Sequence, residues 1–317
     1  MLVFSILMLS KTLKSIHQHM HNLKANFDTF LAHVTQFANT MVNSKGNIPR
    51  VGVIPKFSNL EVIALSLMAE ALSIDSESLL FEKLKEYTSD FPNLISRCHY
   101  NQRRRKLSQL TNAIRHNIAK HIDGGEDYFV VDSKPLPVCR NARAGRVKKR
   151  AQGEITPNFG YCAAQGQHYF GYKMHLTSGL SGVIHTFTLS QASVADIHYL
   201  QHVKFHIQHS TLIGDRGYLS ATVQLDLFQS AAIRLEVPMR NNQKGFKPAH
   251  KPFSKARKRI ETTLSQLNDQ FMLIRNYAKN FDGFSTRILA KITAFTVLQL
   301  INSLKNNPLS KTKYALA

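Results

Sequence analysis

Two short apolar runs, Tyr128-Phe129-Val130-Val131 and Leu212-Ile213-Gly214, lead straight into aspartates, Asp132 and Asp215. An apolar run without polar alternation suits a central strand covered on both sides. The pair therefore calls for a sheet with helices on its faces. If the two strands are neighbours, their carboxylates meet at one edge of the sheet and repel unless a cation lies between them. A third acid, Glu261, follows Arg257 by one helical turn. Ile260, Leu264, Leu267 and Phe271 supply the apolar side by which that helix docks on the sheet.

The surrounding pattern extends the sheet. Strands are predicted at 128–131, 169–176, 183–189, 211–213 and 233–237, with helical stretches at 194–208 and after Asp215. Pro135 and Pro137 are expected to hold the chain extended and outside the sheet. The sum is a mixed α/β sheet with flanking helices. Upstream the texture is helical throughout. Leu13, Ile16, Met20, Leu23, Phe27, Phe30, Val34, Phe37 and Met41 recur every three or four residues and predict one long amphipathic helix. It suits either a bundle packed on its own chain or a self-association seam. His17, His19 and His21 alternate within it and point in different directions. Ser58 and Glu61 form a capping box for the next helix, and a further helix starts at Asp75 or Ser76. After Phe91-Pro92, Ser96 opens a third, with Tyr100, Leu107, Leu110, Ile114 and Ile118 as one apolar stripe.

Charge narrows the partners. Lysine and arginine number 41 against 20 acids, for a net charge of +21. Such an excess is the footprint of a nucleic-acid binder, with a ribosomal-type or membrane-surface protein as the other readings. The run Arg103-Arg104-Arg105-Lys106 follows a helix-turn-helix-like pair. A second basic segment, 140–150, holds Arg143, Arg146, Lys148, Lys149 and Arg150 and no acid. Both are candidate phosphate contacts, and Lys173 and His175, on one side of their strand, are further candidates. Cys98, Cys139 and Cys162 lack zinc-site spacing and read as reduced thiols. Residues 1–9 are apolar but lack a basic leader, so no signal peptide is expected. The apolar stretch 288–301 is interrupted by Lys291 and is too short to span a bilayer. The chain is read as a soluble cytoplasmic protein.

The acids suit Mg²⁺, which takes oxygen ligands and leaves room for phosphate. Two ions on the order of 4 Å apart can activate an attacking oxygen and stabilise a leaving one. Asp196 is a rival for the second position, but it lies at a helix start, where an acid ordinarily caps. Asp215 is preferred.

The stretches 131–139, Phe170-Gly171-Tyr172-Lys173-Met174-His175-Leu176, Ile213-Gly214-Asp215-Arg216-Gly217-Tyr218 and Arg259-Ile260-Glu261-Thr262 resemble the DDE transposases of bacterial insertion sequences. The likeness is greatest to the insertion sequence 982 family, which also has the Phe91-Pro92-Asn93-Leu94 stretch, and it runs from about residue 58 to 303. It implies an RNase H-like catalytic domain with Asp132, Asp215 and Glu261 as catalytic and metal-binding triad. It also implies two Mg²⁺ ions, with Mn²⁺ as a substitute, and DNA contacts at Arg257. The substrate would be double-stranded DNA, cut at terminal inverted repeats and joined through its 3′-hydroxyls to a target. A homodimer or larger assembly at the bacterial nucleoid would do this. Related transposases often carry a tyrosine three residues before the arginine and a lysine seven after the glutamate. Here Ser254 and Asn268 stand at those places, so contacts belonging to them do not carry over. The implied organisation is an amphipathic helix at 1–43, a linker at 44–57 and a helical DNA-binding region at 58–124. The catalytic domain follows at 125–305 and a tail at 306–317. A same-fold nuclease that never joins and a DNA-binding protein with a decayed site are the competing readings.

Overall fold

The computed structural model describes residues 22–148, 155–238 and 251–316. They fall into two compact units. One runs up to Ile114 and resumes at Thr293, and the other spans Arg115–Ile292.

The first unit is helical. Helix α1 (Leu23–Ala38) buries Leu23, Phe27, Phe30 and Val34, the expected stripe. Leu13, Ile16, Met20 and the three alternating histidines lie outside the described residues. Helix α2 (Asn59–Ala71) begins with the capping box: Glu61 N–H donates to Ser58 Oγ, and Ser58 N–H donates to the Glu61 carboxylate at 2.6 Å. Ser76 caps α3 (Glu77–Leu84) and Ser96 caps α4 (Arg97–Lys106), each hydroxyl accepting from the N–H three residues on. The single helix expected beyond Ser96 is two. It breaks at Leu107, and α5 (Ser108–Asp123) follows. Both the backbone N–H and the hydroxyl of Thr111 donate to the Leu107 carbonyl at 2.9 Å. Back-bonding of this kind bends a helix.

The second unit holds the expected mixed sheet. Its strands are β1 (Tyr128–Cys139), β2 (Asn158–Cys162), β3 (Gln167–Gly179), β4 (Ile184–Gln191), β5 (Thr211–Ile213) and β6 (Arg234–Glu236), in the order β2-β3-β1-β5-β6, with β4 also paired to β3. β1 and β3 are antiparallel over nearly their whole length, whereas β1–β5 and β5–β6 are parallel. One turn, α6 (Ala144–Lys148), follows β1. Helices α7 (Leu200–Val203) and α8 (Ala221–Ala231) cover one face, with Tyr199, Leu200, Val203 and Leu227 packed on Phe129, Val131 and Leu212. On the other face Tyr172 meets Phe281 and Phe284 of α10 (Phe281–Leu304). Helix α9 (Lys251–Asp269) packs on β1 and β5, and Ile260, Leu264 and Leu267 are buried as expected. By length and composition α10 could cross a membrane, but 94% of its apolar window is buried inside the protein. Its Lys291 is fully buried and donates to the Phe271 carbonyl.

Three expectations need correction. Pro135 and Pro137 do not leave the sheet; they pair with Lys173 and Gly171 inside β1. β5 pairs with β1 only as far as Val130. Beyond it one side of β1 is an edge, where a missing N–H breaks no ladder. Strand β2 was not among the expected strands; it is only five residues long and Gly160 interrupts its apolar pattern. The helical stretch expected at 194–208 shrinks to a 3₁₀ turn, Asp196–Tyr199, and the single turn α7. There the N–H groups of Phe205 and His206 bond to carbonyls three residues back and tighten the chain out of the helix.

The β1–β3 ladder leaves no space beside Gly171, where a Cβ would collide with the Leu136 carbonyl and sit 2.9 Å from Pro137 Cα. Gly171→Ala should therefore destabilise the second unit by about 2 kcal/mol or more. Gly145→Ala, where a Cβ meets nothing within 4 Å, should not. Thermal unfolding of the two variants checks this.

Candidate active site

Asp132 lies within β1, at the level where its parallel neighbour stops. Val130 and Ile213 are the last paired residues of β1 and β5, so Asp132 and Asp215 each stand two residues further on. Gly214 makes the approach possible. A Cβ there would lie 3.1 Å from both Val131 Cγ1 and Tyr218 Cδ2. Asp215 then caps the turn Arg216–Tyr218, its Oδ1 accepting from Gly217 N–H at 2.8 Å. Asp132 is partly buried and accepts from Ser133 N–H at 2.8 Å.

The Asp132 carboxyl is pushed up to about 6. Burial is the main cause; Asp215 and Glu261 add to it, while Ser133 N–H and Arg257 oppose it. Both other candidate acids and Arg257 thus lie within electrostatic reach of Asp132. Glu261 projects from α9 and is exposed, with its carboxylate 3.6 Å from Arg257 one turn earlier. The donor set fits a hard cation: all three are carboxylates, and a cation would relieve the charge that lifts Asp132. Among the described residues no three His, Cys, Asp or Glu side chains are close enough to form a ready metal cluster. The arrangement is an approach of three acids, not a closed cage.

A fourth acid stands beside them. Asp196 is not a helix cap; its Oδ1 accepts from the Lys173 ammonium at 2.9 Å, which also donates to the Val194 carbonyl. The position of a Cβ on Gly217 would be 3.0 Å from Asp215 Oδ1 and 3.8 Å from Asp196 Oδ2. His175, almost fully buried, shares the face of Lys173. Its Nε2 lies 2.9 Å from Ser190 Oγ, and its ring stacks on Tyr199. Burial holds it down to about 4, against the pull of Asp196. Tyr218, which sequence reasoning passed over, is buried, and its hydroxyl has no hydrogen-bond partner among the described residues. Burial, then Asp196, Asp132 and Asp215, push its phenol well above the usual range. Its position in the Gly-Asp-Arg-Gly-Tyr turn was the available signal.

The basic candidates divide. Arg103 donates to the Phe57 carbonyl and Asn59 Oδ1, both at 2.6 Å. Arg104 is buried, paired with Glu77 at 2.7 Å and seated over the Tyr100 ring. Arg105 is partly buried, and Lys106 is exposed. Arg143 and Arg146 are exposed, Lys148 ends α6, and Lys149 and Arg150 lie outside the described residues. Several of the chain's few acids face internal partners: Glu77 meets Arg104, Asp196 meets Lys173, Asp226 meets Lys204, and Asp123 meets His185 and Ser181.

The second unit is thus a helix-flanked mixed sheet in which three acids approach one another where its parallel pairing ends. Residues 123–297 match the family model described as the transposase DDE domain, and the chain belongs to that family. Membership implies a transposition enzyme whose substrate is DNA, in a family that generally uses divalent metal ions. No curated protein and no solved structure matches the chain.

The raised Asp132 carboxyl has a consequence for stability. The folded state holds this proton up to a pH of about 6, against an ordinary value of 3.8. Metal-free stability is therefore lost as pH rises from about 4 to 6. Asp132→Asn, which keeps the acceptor for Ser133 N–H, should stabilise the chelator-treated protein by about 1–3 kcal/mol at pH 7–8 and by almost nothing near pH 4. Denaturant unfolding at the two pH values measures this.

Proposed function

We propose that the chain is the transposase of a bacterial insertion sequence most like the 982 family, with Asp132, Asp215 and Glu261 as its catalytic and metal-holding triad. The observation that carries this reading is the convergence on Asp132 of acids from the exit of β5 and from α9, inside the stretch that matches the family. Strand order supports an RNase H-like catalytic domain: β1 is central, with antiparallel partners on one side and parallel partners on the other. That domain is taken as 125–305. A helical DNA-binding region at 58–124 precedes it, with a linker at 44–57, an N-terminal helix at 1–43 and a tail at 306–317.

The cofactor is two Mg²⁺ ions, replaceable by Mn²⁺; bound there they would make the attacking oxygen more nucleophilic and stabilise the leaving one. The chain's own groups set the geometry. Ser133 N–H and Gly217 N–H each fix one oxygen of Asp132 and Asp215, leaving the other oxygen for a ligand. Arg257 restrains Glu261 and presents positive charge to a phosphate. Lys173 neutralises Asp196, which keeps this acid from competing for the cofactor. Exposed Lys106, Arg143 and Arg146, together with Lys148, Lys149 and Arg150, contact phosphates. From the α4 run only Lys106 is assigned such a contact outright, because Arg103 and Arg104 are engaged within their own unit. The substrate is duplex DNA at the element's terminal inverted repeats. Its freed 3′-hydroxyls are joined to target DNA by a homodimer or larger assembly.

Asp132→Ala and Glu261→Ala should each abolish cleavage of an element end in Mg²⁺ while leaving DNA binding within about twofold; normal cutting by both would reject the triad. In the wild-type protein, a 3′-hydroxyl end incubated with plasmid should yield joined product. Hydrolysis alone would identify a nuclease that does not transpose. Replacing Lys106, Arg143 and Arg146 with glutamine should reduce the salt slope of duplex binding by about one per residue. An unchanged slope would return these residues to a purely solvated role.

A further inference from the structure

Strand β2 leaves two aromatic rings in solvent. Phe159 is 52% and Tyr161 54% exposed, on one face of the strand. Neither ring is loose. Phe159 packs edge-on against buried Phe170, with centroids 5.1 Å apart, and Tyr161 lies on His168 at 4.9 Å. The opposite face of β2 is clamped. Gly160 is so close to the Ala192 backbone that a Cβ would collide with its carbonyl. Asn158 and Ser193 exchange two hydrogen bonds, and Gln191 donates to the Thr156 carbonyl. Rings held this way stand ready without an ordering cost on binding.

Cations border the rings. Cys139 of β1 and Phe159 of β2 both pair with Phe170, so the chain leaves β1 at Arg140 beside this row. Asn141 then ties the loop to the His168 carbonyl at 3.0 Å. Arg140, Arg143 and Arg146 are exposed and form no ion pair among the described residues. Even-numbered residues of β3 share a face, so His168 and Phe170 lie on the face of Leu176, the cross-strand partner of Asp132. Six residues at about 3.3 Å each put the aromatic row roughly 20 Å from the carboxylate. That is the length of about six nucleotides at ~3.4 Å per nucleotide.

We propose that the β2–β3 hairpin is a stacking platform for unpaired bases, with Phe159, Tyr161 and His168 receiving base faces while Arg140, Arg143 and Arg146 hold the backbone of the same strand. Every base offers a π-face, so such a platform tolerates any sequence. Base pairs inside a duplex hide their faces, so the ligand is a single-stranded segment. A second copy of the chain would bring the same three arginines against one another, which favours a polyanion as the occupant. The inference rests on the reading that the chain acts on DNA.

The chain contains no tryptophan, so Tyr161→Trp places its single tryptophan, which can be excited apart from the tyrosines, at the platform. Tyr128→Trp does so at the start of β1, where Tyr128 is 50% exposed. Titration of the full-length variants with a ten-nucleotide single strand should quench the first probe and leave the second unchanged. Phe159→Ala and Tyr161→Ala should each weaken single-strand binding about tenfold, with duplex binding changed less than twofold. Equal quenching of both probes, a silent Tyr161→Trp, or unchanged single-strand affinity would overturn the platform. A double alanine variant that loses oligomers in sedimentation while keeping single-strand affinity would overturn it in favour of a self-association face. Duplex binding and cutting that persist with a silent probe would remove the platform alone. Failure to bind either DNA form would remove the transposase reading as well.

Discussion

Parallel pairing between β1 and β5 stops at Val130 and Ile213, and the arrangement of the acids depends on that stop. A longer β5 would fill the space beside Asp132 with backbone. Pro135 and Pro137 help to enforce it. Each sits in the ladder with β3, so its missing N–H must face the other side of β1. That side therefore cannot accept a full further strand. The same stop turns the chain at Gly214, brings Asp215 level with Asp132, and leaves α9 to close over both with Glu261. Burial and like charge then act together on Asp132 and push its carboxyl up.

A fourth acid, Asp196, stands beside the proposed triad, and Lys173 of β3 pairs with it directly. Under the proposed assignment this pair keeps Asp196 from competing for a bound cation. Buried His175 stands beside the pair, its Nδ1 3.9 Å from Asp196 Oδ1, and its ring stacks on Tyr199. On that assignment the lysine acts by what it withholds.

Much of this was legible because it is local. The apolar runs named the central strands, Ser58, Ser96 and the Asp75-Ser76 pair named three helix starts, and the four-residue spacing of Arg257 and Glu261 named one helix face. What escaped depends on partners distant in sequence. A proline-bearing strand looks like a loop until β3 lies beside it. Strand β2 looks broken at Gly160 until Ala192 is seen to need that glycine. Arg103 and Arg104 read as free charge because Phe57, Asn59 and Glu77 lie more than twenty residues away. Two hydroxyls flank the break at Leu107, Ser108 donating to the Arg105 carbonyl and Thr111 to the Leu107 carbonyl, and a propensity scale carries no term for them.

The pairing of acids within the chain has a colloidal consequence. Glu77, Asp123, Asp196 and Asp226 are engaged by neighbours, and with all 20 acids counted the chain still carries a net charge of +21. The free protein is a polycation folded against its own repulsion, which the small anions around it screen. A length of duplex replaces that diffuse atmosphere with a fixed, multivalent one. The substrate then acts as a counter-ion to the fold, favouring the folded chain through the same mass-action linkage by which any ligand does.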